Sequence, residues 1–385
     1  MTSNGHTNGH TNGHTSVRKI NFGAGPAQLP LEVLENIHTE FLDYNGTGAN
    51  VMELSHRSTT FDKIILDTER YIREILTIPD SYAVLFLQGG ATAQFSAIPM
   101  NFLKLKPSET ADYLVTGYWS EKAAKEAEKF GKINLVVPKT SKYQSVPAED
   151  TWKLTKDPSY FYYCANETIH GIEFEDIPAI IPKDVPIVCD MSSNFLTRPF
   201  DITKFAIVFA SAQKNFGASG LVLVIIRKDL VEQNTDKSIP IILDYKIHMA
   251  NGSMYNTPPT FPIYVANKMF DWTKQQGGLK GMNQHSEKKS SLVYETIDES
   301  NGFYVNSIEK KYRSRVNIPF RILTNGVENE KLESLFLSEA IKSNMIELKG
   351  HRAVGGIRVS LYNGMTPEET KKLTNFMRTF QTNHS

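Results

Sequence analysis

Two side chains in this sequence could do chemistry together on an aldehyde, Asp190 and Lys214. Lys214 stands in Ser211-Ala212-Gln213-Lys214-Asn215, directly after the apolar run 205–210. A second apolar run, 185–189, ends in Asp190, 24 residues before the lysine. Both runs read as strands, and in an open α/β sheet ligands sit outside the carboxyl ends of the strands. An acid and a lysine then face one crevice. A lysine amine forms a Schiff base with an aldehyde while a carboxylate partners a pyridinium nitrogen, the pairing that pyridoxal phosphate uses. A third feature is Gly89-Gly90-Ala91-Thr92, which follows the strand-like run 82–87 and opens a helix. Small residues there let backbone N–H groups approach an anion, and the helix dipole adds partial positive charge. The turn is neither GxGxxG nor a Walker motif, so it gives no support to a dinucleotide or a triphosphate. Each feature also has a plainer reading: a glycine turn joining strand to helix, an aspartate capping a turn with Ser192 and Ser193, a solvated loop lysine. Their succession at successive strand ends is what favours a phosphate-bearing aldehyde cofactor.

The elements that must position these residues follow from the apolar pattern. Strands are expected at 82–87, 113–115, 133–137, 160–164, 185–189, 205–210 and 221–226. Helices alternate with them: one opened by Pro30 with Val33, Leu34, Ile37 and Phe41 on its apolar face, another over 62–76, another over 120–130. Strands apolar on both faces and separated by helices make a mostly parallel seven-stranded sheet, an α/β fold. After about residue 262 the texture changes. Helices at 264–276, 331–344 and 367–380 mix with short strands at 317–322 and 356–361, which reads as a smaller α+β domain. The expected division is a polar tail over 1–16, an N-terminal segment over 17–30 packing with the small domain, a large cofactor-binding domain over 31–262 and the small domain over 263–385.

A chain of 385 residues is long enough for two cores. Its 42 basic side chains balance 42 acidic ones, so no global field recommends nucleic acid or a membrane surface. No apolar run approaches the ~20 residues a bilayer span needs. Cys164 and Cys189 both lie in strand-like runs, which suits buried free thiols in a reducing compartment, and no apolar signal segment precedes the fold. A cytoplasmic protein is expected. Residues 1–16 repeat Asn-Gly-His three times, with His6, His10 and His14, and are too polar to bury a core. They read as a disordered tail, and no metal site is expected.

Longer motifs carry a resemblance. They include Gln88-Gly89-Gly90-Ala91-Thr92-Ala93-Gln94-Phe95, Tyr163-Cys164-Ala165-Asn166-Glu167-Thr168 and Cys189-Asp190-Met191-Ser192-Ser193. With them stand Ala212-Gln213-Lys214-Asn215, Tyr255-Asn256-Thr257-Pro258-Pro259, Glu53-Leu54-Ser55-His56-Arg57, Gly117-Tyr118-Trp119 and Lys349-Gly350-His351-Arg352 through Arg358. In order and spacing, from about residue 19 to 381, these resemble the phosphoserine aminotransferases, class-V members of the fold-type-I pyridoxal-phosphate enzymes.

The resemblance implies a homodimeric transaminase of L-serine biosynthesis that takes the amino group of L-glutamate to 3-phosphohydroxypyruvate. It implies that Lys214 holds the cofactor and serves as the base, that Asp190 partners the ring nitrogen, that Trp119 stacks on the ring and that Thr168 bonds near its O3′. The cofactor phosphate is then expected on Ala91, Thr92 and Gln213, with Asn256 and Thr257 reaching the site of the neighbouring subunit. Arg358 is expected to grip the α-carboxylate. His56, Arg57, His351 and Arg352 would serve the distal anion, His56 and Arg57 crossing the dimer. Thr92 stands where bacterial members often carry arginine, and Ala24 where they often carry serine, so the distal anion has one cation fewer. Taken without the resemblance, Trp119 could be an ordinary core aromatic and Asn256-Thr257 a surface turn. Rival readings are another small-amino-acid transaminase, a cysteine desulfurase, a non-catalytic carrier of the cofactor and a nicotinamide dehydrogenase.

Overall fold

The computed structural model describes residues 18–140 and 142–385, so the expected disordered tail over 1–16 lies outside the described residues. A seven-stranded sheet dominates the fold. Across it the strands run Tyr82–Leu87, Val222–Arg227, Ile207–Ser211, Ile187–Asp190, Phe161–Cys164, Thr110–Leu114 and Lys132–Leu135. The inner strands, rich in β-branched and aromatic residues, are buried along nearly their whole length, as a sheet covered on both faces requires. Six strands point the same way. Val222–Arg227 runs antiparallel to both neighbours, because the ten residues that separate it from Ser211 are too few for a parallel crossover. Register brings the carboxyl ends together: Asp190 lies opposite Cys164 on one side and Phe209 on the other. Three strands end one residue later than the apolar runs, making Asp190 and Ser211 the last residues of theirs, while the strands expected to end at 115 and 137 stop at Leu114 and Leu135.

Local signals set several helix starts. The Ser58 hydroxyl accepts the Phe61 N–H at 3.2 Å and caps Thr59–Leu76, whose buried stripe is Phe61, Ile64, Ile65, Thr68, Ile72 and Leu76. Thr366 and Glu369 form a capping box around Pro367 at the start of Pro367–His384. The first helix departs from expectation. It spans Leu31–Thr39 with Pro30 just outside, and it buries only Val33 and Ile37. These two, four residues apart, form a stripe too narrow to include Leu34. Phe41 lies past the helix end, and Leu31, Leu34, Phe41 and Leu42 are exposed.

Two apolar cores are present. One gathers around the large sheet. The other combines Phe22, Val293, Phe320, Phe336, Ile357 and Phe380, among others. In the second, Asn317–Thr324 pairs antiparallel with Ile357–Ser360, Tyr304–Val305 and Val327–Glu328. The strand Ile20–Asn21 pairs in parallel with Met345–Ile346, tying the start of the described chain to this second core. Helix Thr260–Gln275, expected in the small domain, buries Ile263, Val265, Met269 and Phe270 in the large core instead. After Gly277, at φ +89°, the helix Gly278–Asp298 leads into the second core. Among the described residues no helix is long and apolar enough to cross a membrane. Both cysteines are free and buried.

Candidate active site

The strand Tyr82–Leu87 delivers the chain to Gly89 and Gly90, at φ +86° and +60°, and then to the helix Gly90–Phe102. A Cβ on Gly89 would lie 2.6 Å from that of Ala93, and its positive φ independently favours glycine. The Ala91 N–H, expected to face a phosphate, is donated to Ser211 Oγ at 2.8 Å. Ser211 closes the strand before Lys214, so this bond fixes the glycine turn against the lysine helix Ala212–Asn215. Between them opens a cavity of about 360 Å³ whose wall includes Ala91, Thr92, Trp119, Thr168, Asp190, Gln213 and Lys214. These seven residues come from five separate stretches of sequence, brought together by the strand order.

Lys214 donates from Nζ to Thr168 Oγ1 at 2.9 Å. Burial holds its ammonium below the ordinary lysine range, and the negative charge of Asp190 works against that shift. Asp190 is buried, and its carboxylate accepts the Ser192 N–H at 2.8 Å. Burial raises its carboxyl above the usual range, while Lys214 and Ser192 pull it back.

Trp119 forms the opposite wall from the start of helix Tyr118–Ala127. Lys214 Nζ lies 5.8 Å from its ring centroid. A residue that the sequence reading missed holds it there. The Glu167 carboxylate accepts the N–H groups of Trp119 at 3.0 Å and Ser120 at 2.9 Å, plus the Ser120 hydroxyl at 2.5 Å. An acid at a helix N-terminus satisfies otherwise orphaned donors and complements the dipole. Two buried polar atoms on the cavity wall have no partner, Trp119 Nε1 and Asn166 Oδ1.

Cations gather beside Thr168 and Tyr118, off the cavity lining itself. Arg358, on strand Ile357–Ser360, donates from Nη1 to the Thr168 carbonyl at 3.4 Å. No carboxylate lies within 4 Å of its guanidinium among the described residues, and burial lowers its pKa. The His351 ring stands 5.4 Å from that of Tyr118. Burial first, then Arg358, Arg352 and Lys122, hold His351 below the ordinary histidine range. His170 accepts the Tyr118 N–H on Nδ1 at 3.3 Å, and burial pushes its pKa down to about 4. His170, Tyr118 and Lys122 were not singled out from sequence, though His170 stands only two residues past Thr168. Other expected residues stay outside this cavity. His56 and Arg57 occupy the turn before Thr59–Leu76, and Asn256 and Thr257 lie in the loop before Thr260–Gln275. The Thr257 carbonyl accepts Gln88 Nε2 at 2.8 Å, which ties that loop to the glycine turn.

Residues 20–373 match the class-V aminotransferase family. This chain belongs to that family. Among curated relatives, the phosphoserine aminotransferase of Drosophila melanogaster is 48% identical over 365 residues, covering 95% of this chain and 99% of the relative. The phosphoserine aminotransferase of Laribacter hongkongensis is 47% identical, covering 94% of this chain and 99% of the relative. Among solved structures, phosphoserine aminotransferase from Bacillus circulans subsp. alkalophilus superposes with TM-score 0.90 at 42% identity, covering 96% and 99% of the two chains. The PLP-bound enzyme of Trichomonas vaginalis gives TM-score 0.89 at 42% identity, covering 94% and 100%. Class-V aminotransferases work with pyridoxal phosphate, and the residues of this member fit it. The cavity lies in the ~300–1,000 Å³ range of small-ligand sites. A lysine amine and a buried acid face it, a helix N-terminus opens onto it, and an unpartnered indole N–H lines it.

Proposed function

We propose that this aminotransferase transfers the amino group of L-glutamate to 3-phosphohydroxypyruvate. The products are 2-oxoglutarate and O-phospho-L-serine, in a reversible step of L-serine biosynthesis. One observation carries the reading: Arg358, without a carboxylate partner among the described residues, bonds the carbonyl of Thr168, which shares a cavity wall with Lys214 and Asp190, and His351 and Arg352 lie near it. Each substrate carries two anions, and two cationic anchors at a fixed separation are what such a molecule needs. The names of the full-length relatives support the same choice.

When bound, pyridoxal phosphate supplies an electrophilic aldehyde and an electron sink for charge developing on the substrate α-carbon. Lys214 Nζ holds the cofactor and later moves a proton at the substrate α-carbon; an amine below its ordinary pKa suits that base role. The Asp190 carboxylate keeps a proton on the ring nitrogen. Trp119 packs on the ring face, fixed from behind by Glu167. Thr168 Oγ1, already bonded to Lys214, orients the ring oxygen beside it. The glycine turn with Ala91, Thr92 and Gln213 receives the phosphate. Arg358 holds the α-carboxylate by a two-pronged contact, each charge-assisted bond contributing ~1.5–3 kcal/mol. His351 and Arg352 hold the distal anion.

The functional unit we propose is a homodimer. His56 and Arg57 enter the neighbouring site beside the distal anion, and Asn256 and Thr257 reach its cofactor phosphate. Their position outside their own cavity supports this, as do exposed Leu31, Phe41, Leu42, Ile241 and Ile242. Two free buried thiols support a reducing, cytoplasmic setting. The domain division we propose follows the two cores, with the large domain ending near Gly277.

A coupled assay with glutamate and 3-phosphohydroxypyruvate tests the reaction, with Lys214→Ala alongside. Wild type turns over with parallel double-reciprocal lines, since both half-reactions use one site, and Lys214→Ala does not turn over. Equal inactivity of the two folded, cofactor-loaded proteins refutes the substrates.

A further inference from the structure

We propose that Lys289 is a positioning residue for this reaction: its ammonium pins the turn 361–365 and thereby keeps Arg358 and Lys214 in a fixed spatial relation. The inference rests on the function proposed above for its choice of substrates.

Lys289 sits midway along Gly278–Asp298 with 1% of its surface exposed. Its Nζ donates to three backbone carbonyls, Leu361 at 3.0 Å, Tyr362 at 2.8 Å and Met365 at 2.9 Å. An ammonium has three donors and no acceptor, so its capacity is filled by one turn. Taking such a charge out of water is costly, burial pulls the Lys289 pKa down to about 7, and an unbranched apolar side chain would fill the space without that cost. What the charge achieves is read from the turn. Leu361 directly follows the strand Ile357–Ser360, which carries Arg358. The Asn363 N–H donates to Asn215 Oδ1 at 3.2 Å, and Asn215 is the residue after Lys214. Asn215 Nδ2 in turn donates to the Ser193 carbonyl at 3.0 Å, beside the Asp190 strand end. Asn363 Nδ2 reaches the Leu196 carbonyl at 3.1 Å, and the Tyr362 hydroxyl donates to the Ala24 carbonyl at 2.9 Å.

The turn is thus a junction between the arginine strand, the lysine helix and the N-terminal segment, and Lys289 is its one cationic support. Removing the ammonium takes a donor from three buried carbonyls, of which Tyr362 keeps the Met365 N–H at 2.9 Å. A substrate held by Arg358 at its carboxylate and worked on by Lys214 at its α-carbon registers any change in the distance between them. A misplacement on the order of 1 Å can cost ~10²-fold in rate.

The test compares Lys289→Met, which keeps length but has no donors, with Lys289→Arg, which keeps charge, both in the cofactor-loaded dimer. Lys289→Met is expected to retain the cofactor absorbance spectrum while kcat/KM falls roughly ten- to a hundredfold for glutamate and phosphohydroxypyruvate alike, since both use Arg358. Glutarate, an inert dicarboxylate, is expected to bind it more weakly than wild type. Amide exchange is expected to quicken at 361–365 and at 212–216 and to stay unchanged at 222–227. Lys289→Arg restores part of each loss. Should Lys289→Met not fold, Asn215→Ala removes the Oδ1 that accepts the Asn363 N–H and leaves the three carbonyl bonds intact, with the same kinetic effect expected. A lowered melting temperature with unchanged kinetics, glutarate binding and exchange at 212–216 overturns the proposal, and so does wild-type kinetics in Asn215→Ala. The exchange measurement needs no substrate, so wild-type inactivity on this substrate pair would count against the function and not against Lys289.

Discussion

The carboxyl carbon of Glu167 lies 2.4 Å from where a Cβ on Gly117 would stand. No side chain fits at 117 while Glu167 caps the helix that carries Trp119. Gly117→Ala must expel the carboxylate and abandon two backbone N–H groups that now donate to it. Bonds to a charged group contribute ~1.5–3 kcal/mol each, so the variant is expected to lose roughly 3 kcal/mol of stability. Urea unfolding measures the loss. Pyridoxal phosphate is expected to bind more weakly as well, because Trp119 is no longer fixed.

Asp190 should matter to rate more than to binding. Its carboxylate sits buried at the strand end and accepts the Ser192 N–H at 2.8 Å, so a neutral substitute barely disturbs the packing. Asp190→Asn is expected to lower kcat by ~10²-fold or more. Spectroscopic titration of the cofactor should meanwhile return a dissociation constant within severalfold of wild type. A large affinity loss with intact kcat would contradict the role given to this acid.

Arg358→Lys tests the planar fork. Lysine keeps the charge but cannot match a carboxylate with two parallel bonds. KM for glutamate and for phosphohydroxypyruvate should both rise, by roughly tenfold, the equivalent of one lost charge-assisted bond. Steady-state kinetics with each substrate varied in turn supplies the comparison. A rise for one substrate alone would mean that Arg358 serves the distal anion.

His170 gives the fold an acid limit. Its folded pKa, about 4, lies below the ordinary 6.5, so the folded protein keeps this ring neutral while accepting the Tyr118 N–H. As pH falls from 6.5 toward 4 the unfolded chain takes up a proton that the folded chain refuses, and stability falls over that window. Below it both forms are protonated and this loss stops. The amount is roughly 2–3 kcal/mol. His170→Asn keeps an acceptor without the titration, so its stability should fall less steeply over the same range in chemical denaturation.

Subunit mixing tests the dimer. A hybrid of Lys214→Ala and Asn256→Ala subunits has one site with both defects and one with neither, provided that Asn256 acts across the interface. Co-refolding the inactive Lys214→Ala with the weakened Asn256→Ala should therefore recover activity. If Asn256 serves its own chain, each site of the hybrid keeps one defect and nothing is regained.

The meeting of Lys214 and Asp190 was legible in the sequence because Asp190 ends one apolar run and Lys214 follows another by four residues, and polar residues there have one place to go in a parallel sheet. The strands were legible for the same reason. Glu167 was not, since its meaning depends on Trp119 and Ser120, nearly fifty residues away. Nor was Ser211, which meets Ala91 across 120 residues. The helix Gly278–Asp298 escaped notice because it buries Ser286, Lys289, Ser290 and Thr296, polar residues that erase the apolar stripe. The reversal of Val222–Arg227 is encoded only in the shortness of the connection before it.

The pairing of Ile20–Asn21 with Met345–Ile346 imposes an order on biosynthesis. On the ribosome, domains generally fold as units from the amino end. The sheet bearing Lys214 and Asp190 can close long before the strand partner of residues 20 and 21 has been translated. On the function proposed above, the enzyme would build its seat for the vitamin first and gain Arg358, its proposed grip on the amino acid, only as the last fifth of the polypeptide emerges.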